Sequence, residues 1–151
     1  MTIEDVVGPV LLPAAIGAAI FALVALFWHV ARRYPDAPKR VPTGMRLDGR
    51  PRRLGSRRWL WLAPSALLVV MTILGAAMIR KPPAEDARTT IALVFFIVAE
   101  VAWFIAWTTD RQIELARGMT FRIPPSRTLR VLAPILATVA VTLALAIHPA
   151  S

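Results

Sequence analysis

Four long apolar stretches, at 6–30, 59–79, 90–107 and 129–147, are separated by loops that gather nearly all the basic residues on one side. Each approaches the roughly 20 residues needed to cross the hydrocarbon of a bilayer. A segment in lipid must satisfy its own backbone, and no alternating barrel pattern is present, so helices are the expected form. The first stretch reaches about 37 Å at 1.5 Å per residue, enough to cross with tilt. It is preceded by Glu4 and Asp5 rather than by a basic leader, which favours a retained helix over a cleaved signal. The expected fold is therefore all-α: a single polytopic membrane domain over 1–151 with four transmembrane helices and basic loops at 32–58 and 108–128.

A net charge of +9 suggests nucleic acid only until the charges are located. The loop 32–58 holds ten Lys or Arg against Asp36 and Asp48, and the next loop on that side adds Arg111, Arg117, Arg122, Arg127 and Arg130. The other side has only Arg80, Lys81 and Arg88. This asymmetry predicts both basic loops in the cytoplasm of a bacterial inner membrane, with both termini outside and no nucleic-acid partner. Trp28, Trp59, Trp61, Trp103 and Trp107 all fall at span ends on the basic side, as an interfacial belt would place them. The partners such a surface admits are the bilayer, anionic lipid headgroups, a membrane protein or a second copy of the chain. Arg50, Arg52, Arg53, Arg57 and Arg58 are the candidate contacts for lipid or partner.

Cysteine is absent, which excludes disulfides, thiolate metal sites and thiol catalysis. His29 and His148 fall at opposite faces, so no metal pair is expected within one copy, and interfacial placement is the plainer reading. Ser65 lacks the surroundings of an activated nucleophile. No phosphate-binding glycine loop or dinucleotide fingerprint occurs. No cofactor and no enzymatic activity are expected.

Glu100 is the one acidic residue within a span. A charge near the middle of a membrane helix costs about 2.5–3.5 kcal/mol on insertion scales. No Lys or Arg lies at matching depth, whereas Thr72, Thr138 and Thr142 offer hydroxyls. The plain expectation is a neutral acid tying helices or copies of the chain together. The functional one is a proton, cation or substrate site in a small transporter or channel subunit.

Smaller features complete the pattern. Residues 110–117 extend the third helix beyond the membrane, with Gly118 as its stop and Glu114–Arg117 as an i,i+3 surface pair. Ala14, Ala18 and Ala22, and likewise Ala133, Ala137 and Ala140, form small-residue ridges suited to close packing, within the bundle as the plainer reading or between copies of the chain. Pro9, Pro13, Pro64 and Pro134 are expected in opening turns, where a missing amide matters least. The repeated triplets Leu62-Ala63-Pro64 and Leu132-Ala133-Pro134 admit a chain built from two related helical hairpins.

The loop 32–58 is a shaped connector, with Pro35, Pro38, Pro42 and Pro51, three glycines and the turn dipeptide Asp48-Gly49. Its wording runs Tyr34-Pro35-Asp36, Val41-Pro42-Thr43, Leu47-Asp48-Gly49-Arg50-Pro51, Gly55-Ser56-Arg57 and Pro64. It resembles a widespread bacterial membrane domain of unknown function that also forms the first part of the sporulation-delaying toxin immunity protein. The resemblance covers about residues 34–64 and implies a non-enzymatic immunity, sensing or accessory role. Gly44 and Met45 stand where that domain usually has His and an aromatic residue, and Arg52 and Leu54 replace an acidic residue and a Trp. Any chemistry resting on that His is absent from this chain. A toxin-facing loop would lie outside, whereas the charge asymmetry places this one inside.

Overall fold

A computed structural model describes residues 3–45, 50–118 and 125–147. Four long helices dominate: α1 (Ile3–Arg33), α2 (Leu62–Arg80), α3 (Arg88–Ala116) and α4 (Pro125–Ile147). All four are long and apolar enough to cross a membrane, and the chain is an integral membrane protein with four candidate spans. Between α1 and α2 lies a feature the apolar pattern did not predict, an antiparallel hairpin of β1 (Arg40–Met45) and β2 (Pro51–Ser56). A short 3-10 turn, Arg57–Trp61, leads from the hairpin into α2. The expected turn at Asp48-Gly49 and the position of His148 lie outside the described residues.

The core is a seam between α1 and α3. On α1 the buried residues are Leu12, Ala15, Ala19, Leu23, Leu26 and Val30, and on α3 they include Ala92, Phe95, Val98, Ala102, Thr109 and Ile113. Most follow one another at three or four positions, the spacing that keeps a single stripe against a partner helix. Ala15 and Ala19 are fully covered, and small residues on both helices allow the backbones to approach closely. This corrects the predicted ridge: the buried face of α1 runs through Ala15 and Ala19, while Ala14 is exposed and Ala18 and Ala22 are only half-buried. Ala133, Ala137 and Ala140 are exposed, so the ridge on α4 does not pack within this bundle either. The apolar character all around each helix conceals the phase of its packed stripe.

The outer helices make little use of the core. Among the described residues, only Pro64 and Leu67 are buried on α2 and only Ile135 on α4. The remaining apolar side chains, Ile73, Ile79, Leu136 and Leu143 among them, face outward as lipid-facing residues should. The two proline triplets occupy different settings. Pro64 is fully buried in the first turn of α2, whereas Pro134 is exposed and lies well inside α4. Pro134 is thus not in an opening turn, and because α1 begins at Ile3, neither are Pro9 and Pro13.

At 29 residues, α3 is about 43 Å long, more than hydrocarbon requires. Its last turns project beyond the apolar stretch, as expected, and end where Gly118 adopts φ +72° and donates to the Leu115 carbonyl at 3.1 Å. The hairpin packs against α3 through β1. Val41 and Pro42 are fully buried in succession, and Ala37 and Val41 join Ile113 in the core. The ladder pairs Val41 with Gly55 and Pro42 with Leu54, then shifts register around Gly44. A Cβ at Gly55 would lie 2.6 Å from the Thr43 methyl and 3.0 Å from Trp59 Cδ1, so the close approach of strand and turn requires glycine there.

Candidate functional site

Two polar arrangements stand out from the apolar bundle. The first lies where α1, α3 and the hairpin meet. His29 and Arg33, one turn apart on α1, both reach the same carboxylate oxygen of Asp110 on α3. His29 Nε2 lies 3.1 Å from Asp110 Oδ1, and Arg33 Nε donates to it at 3.0 Å. Two turns further along, Arg117 donates to the Asp36 backbone carbonyl at 2.6 Å, fastening the start of the loop to the end of α3. Arg111 pairs with Glu114 and lies over the Trp107 ring at 5.8 Å. Glu114 thus takes Arg111 rather than the expected Arg117 as its partner, because Arg117 is turned toward the loop.

An aromatic cluster continues this joint toward α2. Trp61 sits 5.9 Å from both Phe27 and Tyr34, and the Arg57 guanidinium stacks over Tyr34 at 4.8 Å. The five tryptophans therefore divide. Trp28, Trp59 and Trp103 are more than half exposed, as anchors in a lipid interface are, while Trp107 is half-buried against Phe104 and Trp61 is a packing residue between helices. The five candidate arginines divide too. Arg50, Arg52, Arg53 and Arg58 are exposed, but Arg57 is half-buried against Tyr34.

The second arrangement is at Glu100. Its Oε1 accepts from Thr138 Oγ on α4 at 2.9 Å, while Oε2 is buried and has no hydrogen-bond partner among the described residues. Thr138 Oγ also lies 3.1 Å from the Pro134 carbonyl. One hydroxyl proton cannot serve both acceptors. Thr142 donates to the Thr138 carbonyl at 2.8 Å and does not reach Glu100. Thr72 is exposed on α2 and donates to its own Leu68 carbonyl, so it takes no part. Of the three hydroxyls singled out, the fold brings one to the carboxylate.

The first arrangement goes beyond the sequence expectation, which places His29 at the membrane interface and concerns only metal ligation. Depth matching would have found it: His29 lies at the basic end of the first apolar stretch and Asp110 just past the same end of the third. Among the described residues, no three His, Cys, Asp or Glu side chains come together as a metal site would require. The geometry at Asp110 is that of a fastening, with a guanidinium and an imidazole on one carboxylate oxygen.

Comparison with known protein families, curated proteins and solved structures finds no match for this chain. Fold and sites together define a small polytopic membrane protein in which a basic hairpin is anchored to the ends of two packed helices.

Proposed function

We propose that this is a non-enzymatic protein of a bacterial inner membrane with an immunity, sensing or accessory role, its basic hairpin serving as the contact surface. The observation that carries the reading is the contrast between the two strands. Strand β1 is buried against α3 and secured at its base by Arg117, while β2 carries Arg52, Arg53 and Leu54 exposed. A surface held in one conformation loses less entropy on binding than a free loop does. The resemblance of residues 34–64 to the membrane domain of the toxin immunity protein supports the same reading. The excess of Lys and Arg on this side supports a cytoplasmic hairpin with both termini outside.

The absence of native cysteine makes topology directly measurable. Single cysteines at the exposed positions Arg53 and Ala84 should label oppositely with a membrane-impermeant maleimide. Ala84→Cys should react in intact cells and Arg53→Cys only after permeabilisation; the reverse result defeats the orientation. For the role itself, a deletion strain's phenotype should be restored by Glu100→Gln but not by a triple variant of Arg52, Arg53 and Leu54.

The competing reading is a transporter or channel subunit, favoured by the unpartnered Glu100 Oε2. Under that reading Glu100→Gln abolishes proton- or ion-coupled flux in proteoliposomes, and flux that survives unchanged eliminates it.

A further inference from the structure

An open cleft of about 440 Å³ lies where the hairpin leads into α2, lined by Ser56, Arg58, Trp59, Trp61, Leu62 and Ser65. Its position is defined by the chain, because the apolar stretch that includes α2 starts at Arg57. The cleft therefore straddles the boundary between basic surface and hydrocarbon. Its chemistry changes along the same line. Arg58 and Ser56 belong to the polar end, while Trp59 and Leu62 present more than half-exposed apolar surface. Arg58 is exposed and pairs with no acidic side chain among the described residues, unlike Arg33 and Arg111. Ser56 Oγ accepts from the Arg58 amide at 3.4 Å, which leaves its hydroxyl proton free to donate. The floor is fixed by Trp61, held between Phe27 and Tyr34.

We propose that this cleft binds one anionic phospholipid, its phosphate at Arg58 and the Ser56 hydroxyl and the first carbons of its acyl chains along Trp59, Leu62 and Ser65. The charge complementarity is local: Arg57 is occupied by Tyr34, and Arg52 and Arg53 lie on the hairpin strand outside the cleft lining. An ammonium or guanidinium over a smooth basic surface attracts any anionic bilayer diffusely. A cleft lined by a charge, a hydroxyl and neighbouring apolar surface instead selects a phosphate that carries acyl chains. The proposal rests on the membrane reading of the fold, and on neither the orientation nor the immunity role.

The test is lipid retention by the full-length protein, extracted in detergent, supplied with phosphatidylglycerol or phosphatidylcholine, and counted by native mass spectrometry. The expected result is one retained phosphatidylglycerol and little phosphatidylcholine. Arg58→Gln should reduce retention by about tenfold, as loss of a charge-assisted contact does. Ser65→Leu, which keeps every charge and places an apolar residue on an apolar helix, should reduce it comparably by filling the cleft. Arg52→Gln with Arg53→Gln should leave retention unchanged, and millimolar inorganic phosphate should not displace the lipid. Equal loss in the Arg52/Arg53 variant, or unchanged retention in Ser65→Leu, would overturn the proposal in favour of diffuse attraction. Displacement by inorganic phosphate would overturn the lipid as ligand.

Discussion

His29 on α1 and Asp110 on α3 meet at 3.1 Å across 81 positions of sequence, and the same offset joins Asp36 to Arg117. The first contact fixes the register of the two parallel helices at their basic end, and the second fastens the loop after α1 in the same alignment. That register also places Ala15 and Ala19 in the seam with Ala92 and Phe95 and sets the hairpin on the projecting turns of α3. The polar contacts thus select one alignment of a seam whose apolar residues alone would tolerate several.

Replacing Asp110 should weaken that alignment more than it weakens the bundle. His29 and Asp110 are 32% and 27% exposed, so solvent screens the pair, and its coupling should be about 0.5–1 kcal/mol. A double-mutant cycle of His29→Ala and Asp110→Ala in detergent unfolding should show losses smaller together than their sum. Full additivity would show that the two residues do not act as a pair.

Gly55→Ala should destabilise the hairpin by about 1–3 kcal/mol through overpacking against the Thr43 methyl and Trp59. Limited trypsinolysis should register this as faster cleavage at Arg52 and Arg53. Thr43→Ser removes the methyl responsible for the closest contact and should restore much of the resistance. A Gly55→Ala protein cleaved at the original rate would show that the strand and turn do not pack as described.

Trp61 and Trp28, one packed between helices and one exposed, should respond differently to alanine. Trp61→Ala removes the contacts to Phe27 and Tyr34 and should cost about 2 kcal/mol or more, with α2 loosened from α1. Trp28→Ala, at a residue 70% exposed, should leave unfolding nearly unchanged while altering depth in the bilayer. Equal losses at Trp61 and Trp28 would contradict the division between packing and anchoring tryptophans.

Thr138→Val should cost about 0.6–1 kcal/mol, the usual size of a hydrogen bond between membrane helices. With the hydroxyl gone, Glu100 Oε1 loses its described partner and joins Oε2 in having none. Thr72→Val should have no comparable effect, since its hydroxyl bonds only to its own helix. Unfolding titrations in mixed micelles distinguish the two, and equal losses would remove Thr138 from the site.

How much was legible depended on what lipid imposes. Number, length and helical form of the spans follow from hydrocarbon thickness and from the need of each segment to satisfy its own backbone. Apolar runs and clustered Arg therefore carried that information openly, and so did the end of α3 at Gly118. The same apolarity hid the packing. In water a helix shows its buried stripe by contrast with its polar face, but here the lipid-facing side is apolar too. Ala14, Ala18 and Ala22 looked as good a ridge as Ala15 and Ala19. The hairpin was obscured for a different reason: β1 buries Val41 and Pro42 in succession and shifts register around Gly44, so the alternation that reveals a strand is absent.

By itself, the sequence determined a four-span membrane protein with its positive charge sorted to one side and a lone carboxylate in the third span. Only the tertiary structure decided that Glu100 faces Thr138, that His29 and Arg33 share Asp110, and that Arg57 lies on Tyr34 while Arg58 stays open. Each of these joins residues dozens of positions apart or separates residues that are adjacent. Local composition sets what a segment can become, but only the register between helices sets which side chains meet.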